Sequence, residues 1–183
     1  MTTTTLATEQ TTWTIDPAHT EVGFEVKHLM ISRVRGRFGA VTGTLVLDSD
    51  PARSSTEAEI DVSSIDTRQE QRDAHLRSAD FFDVERFPRI TFRSTRVEQA
   101  GEGRFRVTGD LTIRDVTREV VLDASDEGRA GDPWGGARAA FSAQVTIDRR
   151  DFGLTWNQAL ETGGVMVSNE IRISLDVQAV KAA

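Results

Sequence analysis

The sequence contains no cysteine, which excludes disulfide bonds, thiolate metal sites and cysteine nucleophiles. It also has no long apolar run, since no stretch approaches the roughly 18 apolar residues that a transmembrane helix requires. There is no GxSxG, HExxH or glycine-rich phosphate loop, and the three histidines do not lie at recognised metal-binding spacings with carboxylates. No catalytic, metal-binding or cofactor-binding motif is therefore visible, and we expect neither a cofactor nor a membrane span.

An excess of positive charge is also lacking. The chain carries a formal net charge of −7 and has a pI of about 5.0. Surfaces that bind nucleic acid or anionic membranes without further selectivity usually carry a basic stripe, which this balance does not predict, although local basic clusters remain compatible with it. We expect no nucleic-acid partner.

The N-terminal residues lack both a positively charged segment and an apolar segment of the kind found in secretory signals. The sequence therefore predicts a cytoplasmic protein. Residues 1–11 are rich in threonine and poor in apolar side chains, so they are predicted to form a disordered tail. The remainder, residues 12–181, has the length of one ordinary domain.

Most of the chain alternates apolar and polar residues with a period of two, which is the pattern of a strand with one buried face. In the first such segment, Val22, Phe24, Val26 and His28 share one face. Further alternating segments lie at 35–47, 57–62, 90–94, 105–113, 117–124, 139–147 and 171–177. About eight strands joined by short turns indicate an antiparallel sandwich or barrel, and a closed barrel of this size has either a filled core or space for one small ligand.

A polar, charge-dense segment at residues 68–78 interrupts this pattern and is predicted to be a helix near one mouth of the sheet. Arg72 and Arg77 on this helix can bind a phosphate-type head group, or they can lie on a solvated face with acidic neighbours. His75 is either a ligand contact or an ordinary surface histidine.

The inward side chains allow two interpretations. His28 can bind a polar head group inside a pocket, or it can be a structural histidine bonded to a backbone carbonyl. The phenylalanines can form an ordinary core or line a cavity. Small inward residues such as Gly109, Ala139 and Ala143 are compatible with open space inside the sheet.

Four separated motifs resemble the YceI-like family of lipid- or polyisoprenoid-binding proteins. They read WTIDPAHTEVGFEVKHLMISRVRGRF at 13–38, RDAHLRSADFFDVERFPRITFRS at 72–94, VTGDLTIRDVTREVVL at 107–122, and FGLTWN at 152–157 followed by Gly-Gly and VMVSNEIRISLDV at 165–177. The resemblance covers the chain from Trp13 to Val180, in order.

This resemblance implies an all-β fold, namely an eight-stranded antiparallel lipocalin-like barrel with a helical segment near residues 68–78. It also implies a long apolar tunnel that holds an isoprenoid chain. The residues that it places along the ligand are Phe24, Val26, His28, Phe38, Phe81, Phe82, Phe92 and Phe141, with Arg72, His75 and Arg77 near the mouth.

The resulting hypothesis is a protein that carries or sequesters a polyisoprenoid or another long-chain lipid without chemical turnover. One alternative is an enzyme that acts on an apolar substrate in the same cavity, with His28 or His75 as acid or base. Another is a structural or interaction domain with a filled barrel. Barrels of this kind often associate through exposed strands, so a homodimer is an open alternative to a monomer.

Overall fold

The structure is a computed structural model that describes residues 9–183. Within this range it contains eleven strands and one α-helix. In chain order they are β1 Thr11–Ile15, β2 Glu21–His28, β3 Ser32–Phe38, β4 Val41–Leu47, β5 Ser55–Asp61, β6 Ile65–Asp66, α1 Glu70–Arg77, β7 Arg89–Gly101, β8 Arg104–Ile113, β9 Val116–Gly131, β10 Ala137–Asp148 and β11 Val167–Lys181.

Eight of the strands form a closed antiparallel ring, in the order β1-β4-β5-β7-β8-β9-β10-β11. The ring closes because β11 returns to β1, with Trp13 opposite Lys181 and Ile15 opposite Ala179. The predicted eight-stranded antiparallel barrel is therefore confirmed, and so is its helical segment, which runs from Glu70 to Arg77.

The remaining strands continue the wall at one end. The first part of β11 pairs with β2, where Ile173 lies opposite Phe24, whereas its last part pairs with β1. Strands β1 and β2 are thus two halves of one interrupted strand along β11. Next, β2 pairs with β3, and β3 pairs with the short β6 at Arg37 and Phe38.

The two ends of the barrel differ. At one end, which we call the helix end, lie α1, the β8–β9 turn and the long connection from β10 to β11. At the other, which we call the turn end, lie the β4–β5, β7–β8 and β9–β10 connections. No helix in residues 9–183 is long and apolar enough to cross a membrane.

The predicted tail at 1–11 lies outside the described residues for its first eight positions, and β1 begins at Thr11. The division into this tail and one domain at 12–181 stays a prediction.

Asp16 organises the interruption between β1 and β2. Its carboxylate accepts the Ala18 N–H at 3.0 Å, which begins a short 3₁₀ turn with Pro17 at its first position. The same carboxylate accepts a hydrogen bond from Arg138 Nη1 at 2.7 Å and lies 2.9 Å from His19 Nδ1. The Arg138 hydrogen bond is the main reason that the pKa of Asp16 falls to about 2.

We predict that Asp16→Asn destabilises the protein by about 1–2 kcal/mol near neutral pH, because the amide keeps the cap but loses the charge-assisted bond to Arg138. The folded-state pKa lies below the ordinary value of 3.8, so the contribution is present above about pH 4 and disappears as the pH falls through 2. Urea unfolding of both proteins between pH 2 and 7 measures it.

Asp50→Asn is the matched control. Asp50 is exposed and begins a second Asp-Pro-Ala turn of the same kind, in which its carboxylate accepts the Ala52 N–H at 3.0 Å. We expect this change to shift the unfolding free energy by less than about 0.5 kcal/mol. Equal effects of the two substitutions would contradict a contribution from the Arg138 bond.

Candidate functional site

A cavity of about 520 Å³ lies inside the barrel, and its wall is built mainly from the inward side chains of the strands. Seven of the residues that the sequence placed along a ligand lie on this wall. They are Phe24, Val26, Phe38, Phe81, Phe82, Phe92 and Phe141. Aliphatic side chains from the same period-two pattern complete it, among them Val22, Leu45, Leu111, Ile113, Ile171, Ile173, Leu175 and Val177.

Two of the phenylalanine rings are seated on glycines of the neighbouring strand. A Cβ atom added at Gly109 would lie 2.5 Å from Cζ of Phe92, and one added at Gly36 would overlap the ring of Phe24. These glycines therefore let the rings lie flat against the sheet and leave the middle of the barrel open. The Phe92 ring fills the space directly over Gly109.

Aromatic side chains close the helix end. Phe38 packs against Phe24 with ring centroids 5.6 Å apart and against Phe82 at 5.8 Å. The Phe81 ring lies 5.3 Å from Trp156, which belongs to the β10–β11 connection. Leu76 of α1, Phe81 and Phe82 all lie on the cavity wall. The helix and the segment after it therefore present an apolar underside to the cavity.

The predicted arginines of the helix do not belong to the wall. Arg72 donates through Nε to the Thr67 hydroxyl and through Nη2 to the Thr67 carbonyl, both at 2.8 Å. Arg77 donates to the carbonyls of Ser63 at 3.2 Å and Ile65 at 3.0 Å. Both guanidinium groups thus fix α1 to the chain that precedes it.

Neither predicted histidine lies on the wall. His75 Nε2 is 2.8 Å from an Asp80 carboxylate oxygen, and its ring packs edge-on against Phe81 and Trp156. His28 is half-buried at the last position of β2, two residues after Val26, and Val26 is the last residue of β2 on the cavity wall.

Four charged side chains do lie on the wall: Asp48, Asp126, Arg129 and Arg149. The first three are at the turn end. Arg129 Nη1 pairs with the Asp126 carboxylate at 2.6 Å, and its guanidinium lies 5.0 Å from the centroid of Phe141. Asp48 lies at the end of β4 and pairs with Arg53 Nε at 3.4 Å.

Arg149 is the charged wall residue at the helix end, and it is 3% exposed. Its Nη1 donates to the carbonyls of Leu154 at 2.7 Å and Trp156 at 2.8 Å, and its Nε donates to the Ser168 carbonyl at 2.9 Å. Burial lowers the pKa of this guanidinium. The hydrogen bonds of its side chain go to backbone carbonyls and to the Asn169 amide oxygen.

Sequence reasoning missed Arg149. Its only signal is its position, because it continues the inward alternation of Val145 and Ile147 on β10.

Within residues 9–183, no cluster of three or more histidine, aspartate or glutamate side chains is arranged to hold a metal ion.

We predict that Arg149→Leu destabilises the fold by about 2–4 kcal/mol, because it leaves buried carbonyl groups without donors. Equilibrium urea unfolding measures this change. Arg150→Leu is the control, since the Arg150 side chain is 57% exposed and pairs with Asp148 at the surface. A loss of less than about 1 kcal/mol is expected there. Similar losses in both variants would contradict the structural role of Arg149.

Comparison with known proteins agrees with this architecture. The family model described as a YceI-like domain matches residues 13–179. A UPF0312 protein of Staphylococcus aureus strain MSSA476 is 37% identical over 173 residues, which span 92% of this chain and 96% of the relative.

Two solved structures show the same barrel. The YceI protein of Campylobacter jejuni superposes with a TM-score of 0.73 at 30% identity, covering 86% of this chain and 90% of that one. A polyisoprenoid binding domain from Saccharophagus degradans superposes with a TM-score of 0.67 at 14% identity, covering 93% of this chain and 98% of that one, and shows the fold alone. Because the family model spans nearly all of the described residues, this chain belongs to the YceI-like family.

Proposed function

We propose that this protein binds an amphiphilic lipid, specifically a polyisoprenoid, in the barrel cavity and carries or sequesters it without chemical change. The observation that carries the proposal is the apolar cavity of about 520 Å³ inside a closed barrel. This volume lies in the range of pockets that enclose small molecules. The fold shared with the polyisoprenoid binding domain of Saccharophagus degradans supports the choice of ligand.

The energetics favour an extended hydrocarbon. Each buried methylene group contributes about 0.8 kcal/mol, so about ten of them supply roughly 8 kcal/mol, which offsets the entropy lost when the ligand is immobilised. An apolar wall therefore binds the tail without many polar contacts. We propose that Phe24, Val26, Phe38, Phe81, Phe82, Phe92 and Phe141 contact this tail.

One charged residue of the cavity wall, Arg149, influences which polar head group the ligand can carry. Arg149 directs its N–H groups to carbonyls, so it contributes a positive potential at the helix end and few free donors. This potential favours a head group that carries negative charge or oxygen acceptors. A ligand that extends beyond the cavity wall could still bring its head group to the other predicted contacts. These are His28, Arg72, His75 and Arg77, which stay predictions.

The residues of the cavity wall favour a binding protein over the alternative function, an enzyme that uses His28 or His75 as acid or base. Neither histidine faces the cavity, and the wall carboxylates Asp48 and Asp126 lie at the turn end. The cavity likewise argues against a filled-barrel structural domain. A cytoplasmic location and a homodimer remain proposals, which cell fractionation and sedimentation equilibrium test.

The test is a titration of delipidated protein with a polyprenyl diphosphate, measured by isothermal titration calorimetry. We expect saturable binding at one molecule per chain and full recovery of the unaltered ligand. Ala143 lies on the wall, and Ala143→Trp should weaken binding at least tenfold because the indole occupies ligand space.

Gln144→Trp provides the matched control, since Gln144 is the next residue of β10 and is exposed on the opposite face. Binding within twofold of wild type is expected there, and thermal melting of both variants checks their folding. Equal binding by the two variants would contradict the cavity as the binding site, and conversion of the ligand would contradict binding without turnover.

A further inference from the structure

The turn between β2 and β3 exposes three large apolar side chains in succession. The exposed fractions are 36% for Leu29, 53% for Met30 and 86% for Ile31. Among the described residues, the only other large apolar side chains that are as exposed as Leu29 are Val121 at 41% and Trp134 at 85%, and both are isolated from this turn in the sequence. Single exposed apolar residues are ordinary on protein surfaces, but a cluster of them marks an interaction site.

The backbone of this turn is unusual for such side chains. Leu29 and Met30 have φ values of 52° and 62°, and the Ile31 N–H donates to the His28 carbonyl at 3.2 Å. Tight hairpin turns with two successive left-handed residues are normally built from Asn and Gly. Large apolar side chains at these positions are strained and exposed, so folding alone does not account for them.

A second loop packs beside the turn and widens the apolar surface. The Leu29 N–H donates to the Met166 carbonyl at 2.8 Å. Met30 also packs against Gly164, since a Cβ atom added to this glycine would lie 3.6 Å from Met30 Cγ. Leu160, Val165 and Met166 of this loop are partly exposed. We call the surface formed by Leu29, Met30, Ile31, Leu160, Val165 and Met166 the apolar tip.

Cationic side chains lie on one face of the β2–β3 hairpin, next to the apolar tip. Lys27 is exposed, and the side chains of Arg33 and Arg35 are 54% and 72% exposed. Both arginines share one partner, Glu25, at 3.2 and 2.8 Å. The hairpin carries four cations, Lys27, Arg33, Arg35 and Arg37, against the carboxylates of Glu21, Glu25 and, on the adjoining loop, Glu161, although the whole chain has a net charge of −7.

The apolar tip also lies where the cavity wall ends. Val26 and Val167 are wall residues, and Val167 is paired with His28, the last residue before the turn. A surface that meets the apolar tip therefore meets this end of the cavity as well. An apolar projection with cations beside its base fits the boundary between acyl chains and anionic head groups.

We propose that the apolar tip inserts into the surface of an anionic phospholipid bilayer, with Lys27, Arg33 and Arg35 against the lipid phosphates. The apolar tip then holds the protein against the bilayer from which its lipid comes. This inference rests on the proposed lipid-binding function and adds the site at which the protein meets its source of lipid.

The test is co-sedimentation of the full chain with vesicles of phosphatidylcholine alone or mixed with phosphatidylglycerol. We expect binding to the mixed vesicles that weakens as salt is raised. Ile31→Asp should reduce the bound fraction at least tenfold. Trp134→Asp is the matched control, because Trp134 is equally exposed but belongs to the β9–β10 connection at the turn end, and its binding should stay within twofold of wild type.

Several results would overturn this docking site: no vesicle binding by the wild type, equal binding by wild type and Ile31→Asp, or loss of binding in Trp134→Asp. A change of oligomeric mass in Ile31→Asp, with vesicle binding unaltered, would identify the apolar tip as a contact between copies of this chain and would also overturn it.

A separate measurement keeps the two proposals distinguishable. Ile31→Asp should bind a short polyprenyl diphosphate added from solution as wild type does, because Ile31 is not a wall residue. Normal binding from solution with vesicle binding lost supports docking by the apolar tip. Failure of the wild type itself to bind the added lipid would contradict the proposed function, whatever the vesicles show.

Discussion

The return of β11 to β1 is the constraint on which the rest of the structure depends. This pairing closes the ring, so the inward side chains of its strands face a common interior. Closure fixes the width of that interior independently of how completely the side chains fill it. With rings seated on Gly36 and Gly109, part of the interior stays open.

Closure also assigns roles to the segments outside the ring. The break at Asp16 lets one long strand, β11, pair with β1 at the turn end and with β2 at the helix end. The ribbon of β2 and β3 then extends the wall toward the apolar tip, while α1 covers the helix end with its apolar underside. Arg149 fixes the β10–β11 connection, because it bonds the carbonyls of Leu154 and Trp156 within it and that of Ser168 on β11.

Much of the fold could be predicted from sequence, because a strand with one buried face alternates at every second residue. This pattern, together with the family motifs, placed Phe24, Val26 and Phe92 on the inner face, where the structure has them. The presence and approximate position of the helix also followed from its polar composition and its break in the alternation, although α1 is shorter than the predicted segment at 68–78.

The remaining features depend on tertiary placement. Whether Arg72 faces a ligand or a backbone carbonyl is decided by the position of Thr67 relative to α1, which no local pattern encodes. For the same reason, Arg149 looks like any surface arginine beside Arg150 until its buried carbonyl partners are known. The Phe92 ring over Gly109 likewise requires the register between β7 and β8.

The central claim is that the open interior holds one lipid chain. Native mass spectrometry of the protein, isolated from cells without detergent, tests it most directly. The predicted result is a mass excess equal to one lipid per chain, released on unfolding and identified by its fragments. Protein that carries no such excess, and that gains none when a polyprenyl compound is added, would contradict the claim.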